Sequence, residues 1–211
     1  MLNLISKFVI IPVIKIDDAK NAVPLARALI DGGLPVAEVT FRTDAAEESI
    51  RQISREFPEM LVGAGTVLTT EQAERAKNAG AKFLVSPGFN PKTVKWAIDN
   101  NIPIFPGCIT PTEIEAALEM GLTTLKFFPA QQAGGLAMIK ALCAPYTNVK
   151  FIPTGGIDLI NLAEYLSFPK VAACGGSFMV KDEFITGGEW DKITEITKKA
   201  VEIVKQIRVD F

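Results

Sequence analysis

The chain has 211 residues, of which 48% are hydrophobic and 22% charged, and its formal net charge is −2. This composition is that of an ordinary globular protein, with neither the basic excess of a nucleic-acid-binding protein nor the roughly 20-residue apolar run of a membrane span. The absence of histidine excludes serine–histidine triads and histidine-ligated zinc, so proton transfer is left to carboxylates, lysine, tyrosine or water. We therefore expect neither nucleic acid nor a membrane as a partner.

The cysteines indicate a reducing compartment. Cys108, Cys143 and Cys174 are odd in number and have no CxxC spacing, so they predict neither a disulfide framework nor a thiolate metal site. We expect a cytoplasmic protein whose chemistry uses no metal ion and no cofactor.

Short runs rich in Val, Ile and Phe alternate with longer segments of helical period along the chain. The predicted strands are residues 9–14, 36–40, 61–64, 83–86, 104–106, 124–127, 150–152 and 171–174. The predicted helices are residues 18–31, 44–57, 70–79, 91–100, 111–120, 135–143, 158–167 and 189–208. Eight strand–helix units predict an α/β protein of one domain, residues 1–211, closed into a (β/α)8 TIM barrel. An open doubly wound sheet has the same alternation and is the alternative.

Several helix boundaries carry explicit signals. Thr110 stands before Pro111 and close to Glu113, which is the pattern of a capped helix start with proline at its first position. Gly80 and Gly121 stand where helices are expected to end.

Polar residues gather where the predicted strands end, which is where barrel enzymes carry their sites. On the second strand, Glu38, Thr40 and Arg42 share one face because strand side chains alternate, and we expect this face to point into the barrel, where Lys126 from the sixth strand would converge with it. Glu38 is there a candidate for proton transfer and Arg42 a candidate anion clamp. A surface position for Arg42 at the start of the next helix fits the spacing equally well.

Lys126 lies within an apolar run, residues 123–129, that includes the sixth predicted strand. Lysine is almost never fully buried unless something pairs with it or uses it. Because desolvation disfavours a charged amine, a buried lysine can present a neutral nitrogen that forms a Schiff base with a carbonyl. The alternative is an internal ion-pair network without chemistry.

Glycine-rich turns follow three other strands. Thr66 comes directly after Gly63-Ala64-Gly65, where a ligand can approach the backbone and hydrogen-bond the hydroxyl. The seventh and eighth strands lead into Thr154-Gly155-Gly156 and Gly175-Gly176-Ser177. Loops at these two places commonly form the phosphate site of a barrel. Plain turns are the alternative for each of the three.

These segments together resemble one known family, the 2-keto-3-deoxy-6-phosphogluconate (KDPG) and 4-hydroxy-2-oxoglutarate aldolases, which are class I enzymes built on a (β/α)8 barrel. The resemblance extends over nearly the whole chain. Its specific parts are residues 33–42, 63–67, 86–88, 121–134, 153–156 and 175–177.

The resemblance implies that Lys126 forms the Schiff base and that Glu38 is the acid/base. It implies further substrate-binding residues, with Arg42 and Thr66 on the keto-acid carboxylate, Pro87 and Phe128 as pocket walls, and Thr154, Gly155, Gly156 and Ser177 at the phosphate end. The reaction would be reversible cleavage of KDPG to pyruvate and glyceraldehyde 3-phosphate, with 4-hydroxy-2-oxoglutarate as a second substrate, in a homotrimer. Lys15 stands where some relatives carry arginine, and its role stays open.

Other functions fit the residues as well. The galactonate epimer of KDPG is an alternative substrate of the same reaction. A phosphosugar isomerase or epimerase would use Lys126 only electrostatically, and a non-catalytic phosphosugar-binding barrel would use it only to pair a ligand's charge.

Overall fold

Strands and helices alternate along the chain. The computed structural model describes residues 9–208, so residues 1–8 and 209–211 of the predicted domain lie outside the described part. The strands are β1 Ile10–Ile14, β2 Val36–Thr40, β3 Leu61–Gly65, β4 Leu84–Ser86, β5 Ile104–Pro106, β6 Thr124–Phe127, β7 Lys150–Pro153 and β8 Cys174–Gly176. The helices are α1 Ala22–Asp31, α2 Ala46–Glu56, α3 Thr70–Asn78, α4 Pro91–Asp99, α5 Pro111–Glu119, α6 Gly135–Cys143, α7 Leu162–Leu166, α8 Asp182–Thr186 and α9 Trp190–Ile207.

The strands are parallel and close into a ring. Six of them form one sheet in the order β5-β4-β3-β2-β1-β8, and β6 pairs with β7. Single parallel bridges complete the circle: Gly107 with Lys126 joins the end of β5 to β6, and Thr154 with Gly175 joins the end of β7 to β8. This arrangement confirms the predicted (β/α)8 barrel and contradicts the open doubly wound sheet.

Apolar packing holds the strand ends in place. Strands β2 and β3 are buried along their whole length. Two aromatic pairs, Phe83 with Phe105 and Phe127 with Phe151, meet edge to face with ring centroids 6.2 and 5.9 Å apart. Edge-to-face contacts stabilise a core beyond the area that they bury. Apolar packing of this kind therefore holds the strands of the barrel against one another.

The predicted helix signals are confirmed. Thr110 and Glu113 form a reciprocal capping box at the start of α5, with Pro111 at the first helical position. Gly80 and Gly121 follow α3 and α5 with φ of +106° and +78°, in the left-handed region that favours glycine. Among residues 9–208, no helix has both the length and the apolar content needed to cross a membrane.

The eighth strand was predicted at the wrong place. It covers Cys174–Gly176 rather than residues 171–174, while Val171 makes one isolated bridge with Phe151. Register with β1 decides this, because Ile10 pairs with Cys174 and Pro12 with Gly176. Glycine has low strand propensity, so only the neighbouring strand shows that this segment is extended.

The helix predicted over residues 158–167 is only the five-residue α7. The Asp158 carboxylate accepts hydrogen bonds from the N–H groups of Ile160 and Asn161. Such a local turn competes with helix formation. The helix therefore begins only at Leu162.

Two other helical segments differ from expectation. The helix predicted from residue 18 begins with a 3₁₀ turn, Ala19–Asn21, because the Asp18 side chain accepts from the Lys20 N–H. The short helix α8 lies between the eighth predicted strand and the last predicted helix, where the sequence predicted no helix. The terminal helix was predicted correctly to within one residue at each end.

Candidate active site

A buried ion pair lies at the carboxyl end of the barrel. The Lys126 ammonium nitrogen Nζ on β6 is 3.4 Å from the Glu38 carboxylate oxygen Oε1 on β2. Lys126 is 5% exposed and Glu38 is 2% exposed. Of the ion pairs within residues 9–208, this is the only one in which both side chains are buried. Both groups were predicted to face the barrel interior, and the structure brings them together.

The space for the carboxylate comes from a glycine. A Cβ on Gly65, at the end of β3, would lie 2.0 Å from Glu38 Oε1. Gly65 has no positive φ, so its backbone conformation is open to other residues. Glycine is needed there for room, because any side chain would occupy the position of the carboxylate.

Phe128 lies next to the amine. Its ring centroid is 5.4 Å from Lys126 Nζ, within the range of a cation–π contact. The side chain is 39% exposed and lines the same cavity as Lys126. This agrees with its predicted place in a pocket wall.

A cavity of about 260 Å³ opens above Lys126. Every predicted substrate-binding residue lines it, namely Arg42, Thr66, Pro87, Phe128, Thr154, Gly155, Gly156 and Ser177. Glu38 does not line the cavity and reaches it through its contact with Lys126. With Val13 of β1, which also lines the cavity, residues from seven of the eight strands and their following loops meet at one place, as expected for the carboxyl face of a barrel.

Arg42 lies just beyond β2 and presents a free cation to this cavity. Its Nε donates a hydrogen bond of 3.1 Å to the Thr40 hydroxyl. Among residues 9–208, no carboxylate lies within ion-pair distance of its guanidinium. An unpaired guanidinium suits a carboxylate ligand, which it can bind with two parallel hydrogen bonds.

Thr66 has a strained backbone. Its φ is +53°, which is rare for a β-branched residue and costs of the order of 1–3 kcal/mol. Such conformations are concentrated at ligand-binding sites. This backbone conformation turns the chain directly after β3, where Thr66 lines the cavity.

The glycine turns after β7 and β8 lie at the other end of the cavity. Gly155 and Gly156 have φ of +100° and +77°. The N–H groups of Gly156 and Ser177 have no hydrogen-bond acceptor among residues 9–208. Free N–H groups on consecutive turns are the elements of an anion-binding concavity.

Lys15 forms ion pairs outside the cavity. Its Nζ is 2.7 Å from Asp17 Oδ2 and 3.4 Å from Asp182 Oδ2. The hydrogen bond to Asp17 raises the pKa of Lys15, and the charge of Asp182 adds to this against the effect of desolvation. Lys15 does not line the cavity. It links the end of β1 to the start of α8.

Four further cavity residues were not predicted as site residues: Val13, Thr40, Ile157 and Gly176. Strand alternation placed Thr40 on the inner face, but its small neutral side chain gave no chemical signal. Val13 and Ile157 are apolar and resemble ordinary core residues in the sequence. Within residues 9–208, no three metal-ligating side chains of His, Cys, Asp or Glu lie together.

Comparison with known proteins agrees with the fold. A family model described as KDPG and KHG aldolase matches residues 2–196. The chain is 52% identical over 195 residues to the 2-dehydro-3-deoxy-phosphogluconate aldolase of Treponema pallidum, covering 92% of this chain and 93% of that protein. It is 41% identical over 196 residues to the KHG/KDPG aldolase of Escherichia coli K12, with coverage of 93% and 92%.

One solved structure is similar to the chain in both sequence and fold. KDPG aldolase from Legionella pneumophila, with pyruvate captured as a covalent carbinolamine intermediate, superposes with a TM-score of 0.92 at 41% identity, covering 94% of this chain and 97% of that one. The fold and the cavity define a (β/α)8-barrel enzyme with a buried amine at its centre. The chain belongs to the KDPG and KHG aldolase family.

Proposed function

We propose that this protein is a class I aldolase that reversibly cleaves KDPG to pyruvate and glyceraldehyde 3-phosphate. The observation that carries the proposal is the contact of 3.4 Å between Lys126 Nζ and Glu38 Oε1 beside the cavity. A Schiff-base enzyme needs an amine that can lose its proton and a carboxylate that can exchange it, and both are present in one contact.

Lys126 is the nucleophile in this proposal. Glu38 takes the ammonium proton, and the neutral nitrogen then adds to the C2 ketone of the substrate and gives a carbinolamine. Loss of water, with the proton supplied from Glu38, gives an iminium ion. The iminium withdraws electrons from the neighbouring bonds, so these steps need no metal ion.

Glu38 then acts as the base. It takes the proton of the C4 hydroxyl, the C3–C4 bond breaks, and glyceraldehyde 3-phosphate leaves. The electron pair of the broken bond forms the enamine of pyruvate. Protonation of the enamine at C3 and hydrolysis by one water release pyruvate and restore the amine.

Two sets of groups orient the substrate. Arg42 and Thr66 bind the carboxylate next to the reacting ketone, and the unpaired guanidinium supports this role. The turns at Thr154, Gly155, Gly156 and Ser177 bind the phosphate, and the free N–H groups of Gly156 and Ser177 support that role. Pro87 and Phe128 wall the space between them. Holding both ends fixes the C2 atom in front of the amine.

The mechanism is tested by borohydride reduction in the presence of pyruvate, followed by peptide mass mapping. We expect one pyruvate adduct, on Lys126. An adduct on another lysine, or none at all, would contradict the proposal. Lys126→Arg is the informative variant, because it keeps a positive charge but cannot form the Schiff base under these conditions.

The same variant separates the alternatives. Loss of turnover in both Lys126→Ala and Lys126→Arg supports the aldolase. A phosphosugar isomerase or epimerase that uses Lys126 electrostatically would keep activity in Lys126→Arg. A non-catalytic binding barrel would show saturable binding and no turnover in any form of the protein.

The substrate preference is tested by turnover. We propose KDPG as the main substrate and 4-hydroxy-2-oxoglutarate as a second one, with the galactonate epimer of KDPG as the competing candidate. The measurement is kcat/KM for the three compounds under the same conditions. A large loss with the unphosphorylated substrate supports the role given to Gly156 and Ser177, and equal values would contradict it.

We also propose that the protein is a cytoplasmic homotrimer, as the family resemblance implies. The three buried thiols are consistent with a reducing compartment. Sedimentation equilibrium tests the assembly, and a monomer at micromolar concentration would contradict it.

A further inference from the structure

Thr40 has a hydroxyl that makes two hydrogen bonds at the edge of the cavity. It is the last residue of β2, buried, and in register with Gly65 of β3. Its Oγ1 donates to the backbone oxygen of Ile14 at 2.8 Å and accepts from Arg42 Nε at 3.1 Å. The Thr40 side chain lines the cavity together with Arg42.

The direction of these bonds is determined by the groups themselves. A carbonyl oxygen only accepts, so the single hydroxyl proton of Thr40 must point toward Ile14. A guanidinium N–H only donates, so the lone pairs of Thr40 face Arg42. The carbonyl oxygen of Ile14, at the end of β1, therefore fixes the orientation of the Thr40 hydroxyl. The hydroxyl oxygen in turn accepts the hydrogen bond from Arg42 Nε.

This contact uses only one nitrogen of Arg42. Nε is bound to Thr40, and the two terminal nitrogens have no acceptor among residues 9–208. Arginine has a long and flexible stem, and anchoring Nε removes much of its freedom before a ligand arrives. The terminal nitrogens are then available as a pair, which is the geometry that a carboxylate requires.

We infer that Thr40 is a positioning residue for the substrate carboxylate, acting through Arg42. It holds the guanidinium by its inner nitrogen, so that the terminal nitrogens face the keto acid. The inference rests on the proposed function, in which Arg42 binds that carboxylate. Thr40 itself has no role in proton transfer or bond cleavage.

The first test compares two substitutions at this position. Thr40→Val keeps the shape and removes the hydroxyl, whereas Thr40→Ser keeps the hydroxyl and removes a methyl group. In Thr40→Val we expect KM for KDPG to rise about tenfold, which is the loss expected for one hydrogen bond to a charged group. We expect kcat to change much less, because the carboxylate is bound in both the ground state and the transition state. Thr40→Ser should recover most of the lost affinity.

A purely structural role gives a different result. It would lower the unfolding temperature and leave KM for the folded enzyme unchanged. Unchanged KM in Thr40→Val, or a loss in Thr40→Ser as large as in Thr40→Val, would overturn the inference. Thr40→Ala provides the same comparison if the valine variant does not fold.

A double-mutant cycle with Arg42→Met tests whether the rise in KM in Thr40→Val acts through Arg42. If Thr40 acts through Arg42, then Thr40→Val adds no further rise in KM once the guanidinium is gone. Full additivity of the two rises would overturn the inference while leaving Arg42 as a carboxylate ligand. An Arg42→Met variant with unchanged KM would instead contradict the carboxylate site of the proposed function.

Discussion

Lys126 and Glu38 are 88 residues apart in the chain, and their side chains meet at 3.4 Å inside the barrel. Two buried charges in such contact depend on each other. Breaking a buried pair by removing one partner is costly because it leaves the other charge without compensation. The contact is therefore both a structural element and the centre of the proposed chemistry.

Glu38→Gln tests the carboxylate separately from the shape of the site. The amide has the same size but cannot take a proton, so we expect kcat to fall by about 10²- to 10⁴-fold, as is typical when a general base is lost. Steady-state kinetics measures the effect. The control is Glu59→Gln, an exposed residue before β3 at the opposite end of the barrel, which should behave like the wild type. A fall in kcat of less than threefold for Glu38→Gln would assign proton transfer to another group.

Gly65→Ala tests how the carboxylate is accommodated. The added Cβ would lie 2.0 Å from Glu38 Oε1 and 2.6 Å from Cδ. These atoms are at the end of a flexible side chain, so the carboxylate should move away and the strand should remain. We expect a large loss of kcat together with a lower unfolding temperature, because the displaced carboxylate leaves the buried Lys126 charge without its partner.

Gly63→Ala is the matched control in the same strand. Its Cβ would lie 2.3 Å from the ring of Phe83, inside the packed core. Overpacking a core typically costs about 1–3 kcal/mol, so stability should fall while kcat of the folded enzyme changes little. The same loss of kcat in both variants would show that Gly65 has no special relation to Glu38.

The thiols should be unreactive in the folded protein. Burial raises the pKa of Cys108 to about 12, with a smaller contribution from the charge of Glu113. Burial also raises the pKa of Cys143 and of Cys174. Because the thiolate is the reactive form, we expect a thiol reagent near neutral pH to label no cysteine quickly and to leave activity intact. Denaturation in urea should expose all three. Rapid labelling with loss of activity would reveal a functional thiol.

Glu113 should make the start of α5 sensitive to acid. Burial opposes its charge, but hydrogen bonds from the Ile109 N–H, the Thr110 hydroxyl and the Thr110 N–H outweigh burial and lower the pKa of Glu113 below its ordinary value of 4.5. A carboxyl with a lowered folded-state pKa stabilises the protein above its unfolded-state pKa, and this contribution is lost as the pH falls through the folded-state value.

The contribution of the Glu113 charge is checked by urea denaturation of Glu113→Gln and of the wild type, at neutral pH and at a series of pH values below 4.5. We expect the variant to be less stable at neutral pH by about 1 kcal/mol, and the difference from the wild type to close as the pH falls. Glu119→Gln, at the exposed end of the same helix, should show no such loss. A difference that persists into strong acid would mean that the charge of Glu113 is not what stabilises the cap.

Local signals in the sequence were sufficient for most of the architecture. The spacing of apolar residues distinguishes strands from helices. The capping box of Thr110 and Glu113 marks the start of α5, and its two residues are only three positions apart in the chain. The errors have two causes, of which one is a contact between residues distant in the chain and the other is a local turn around a side chain. Cys174–Gly176 is a strand only because it pairs with β1, and residues 158–161 form a turn around one carboxylate instead of a helix.

The sequence alone determined the barrel, the inward positions of Glu38 and Lys126, and the segments that resemble one aldolase family, because these depend on alternation, spacing and residue type. Only the tertiary structure decided which side chains meet. Closure of the ring places the Glu38 carboxylate from β2 beside the amine from β6 and joins Lys15 to Asp182. It also leaves Arg42 hydrogen-bonded to Thr40 and, within residues 9–208, without a carboxylate at ion-pair distance. These relations depend on distances between atoms far apart in the chain, and such distances are set only when the strands have closed into one ring.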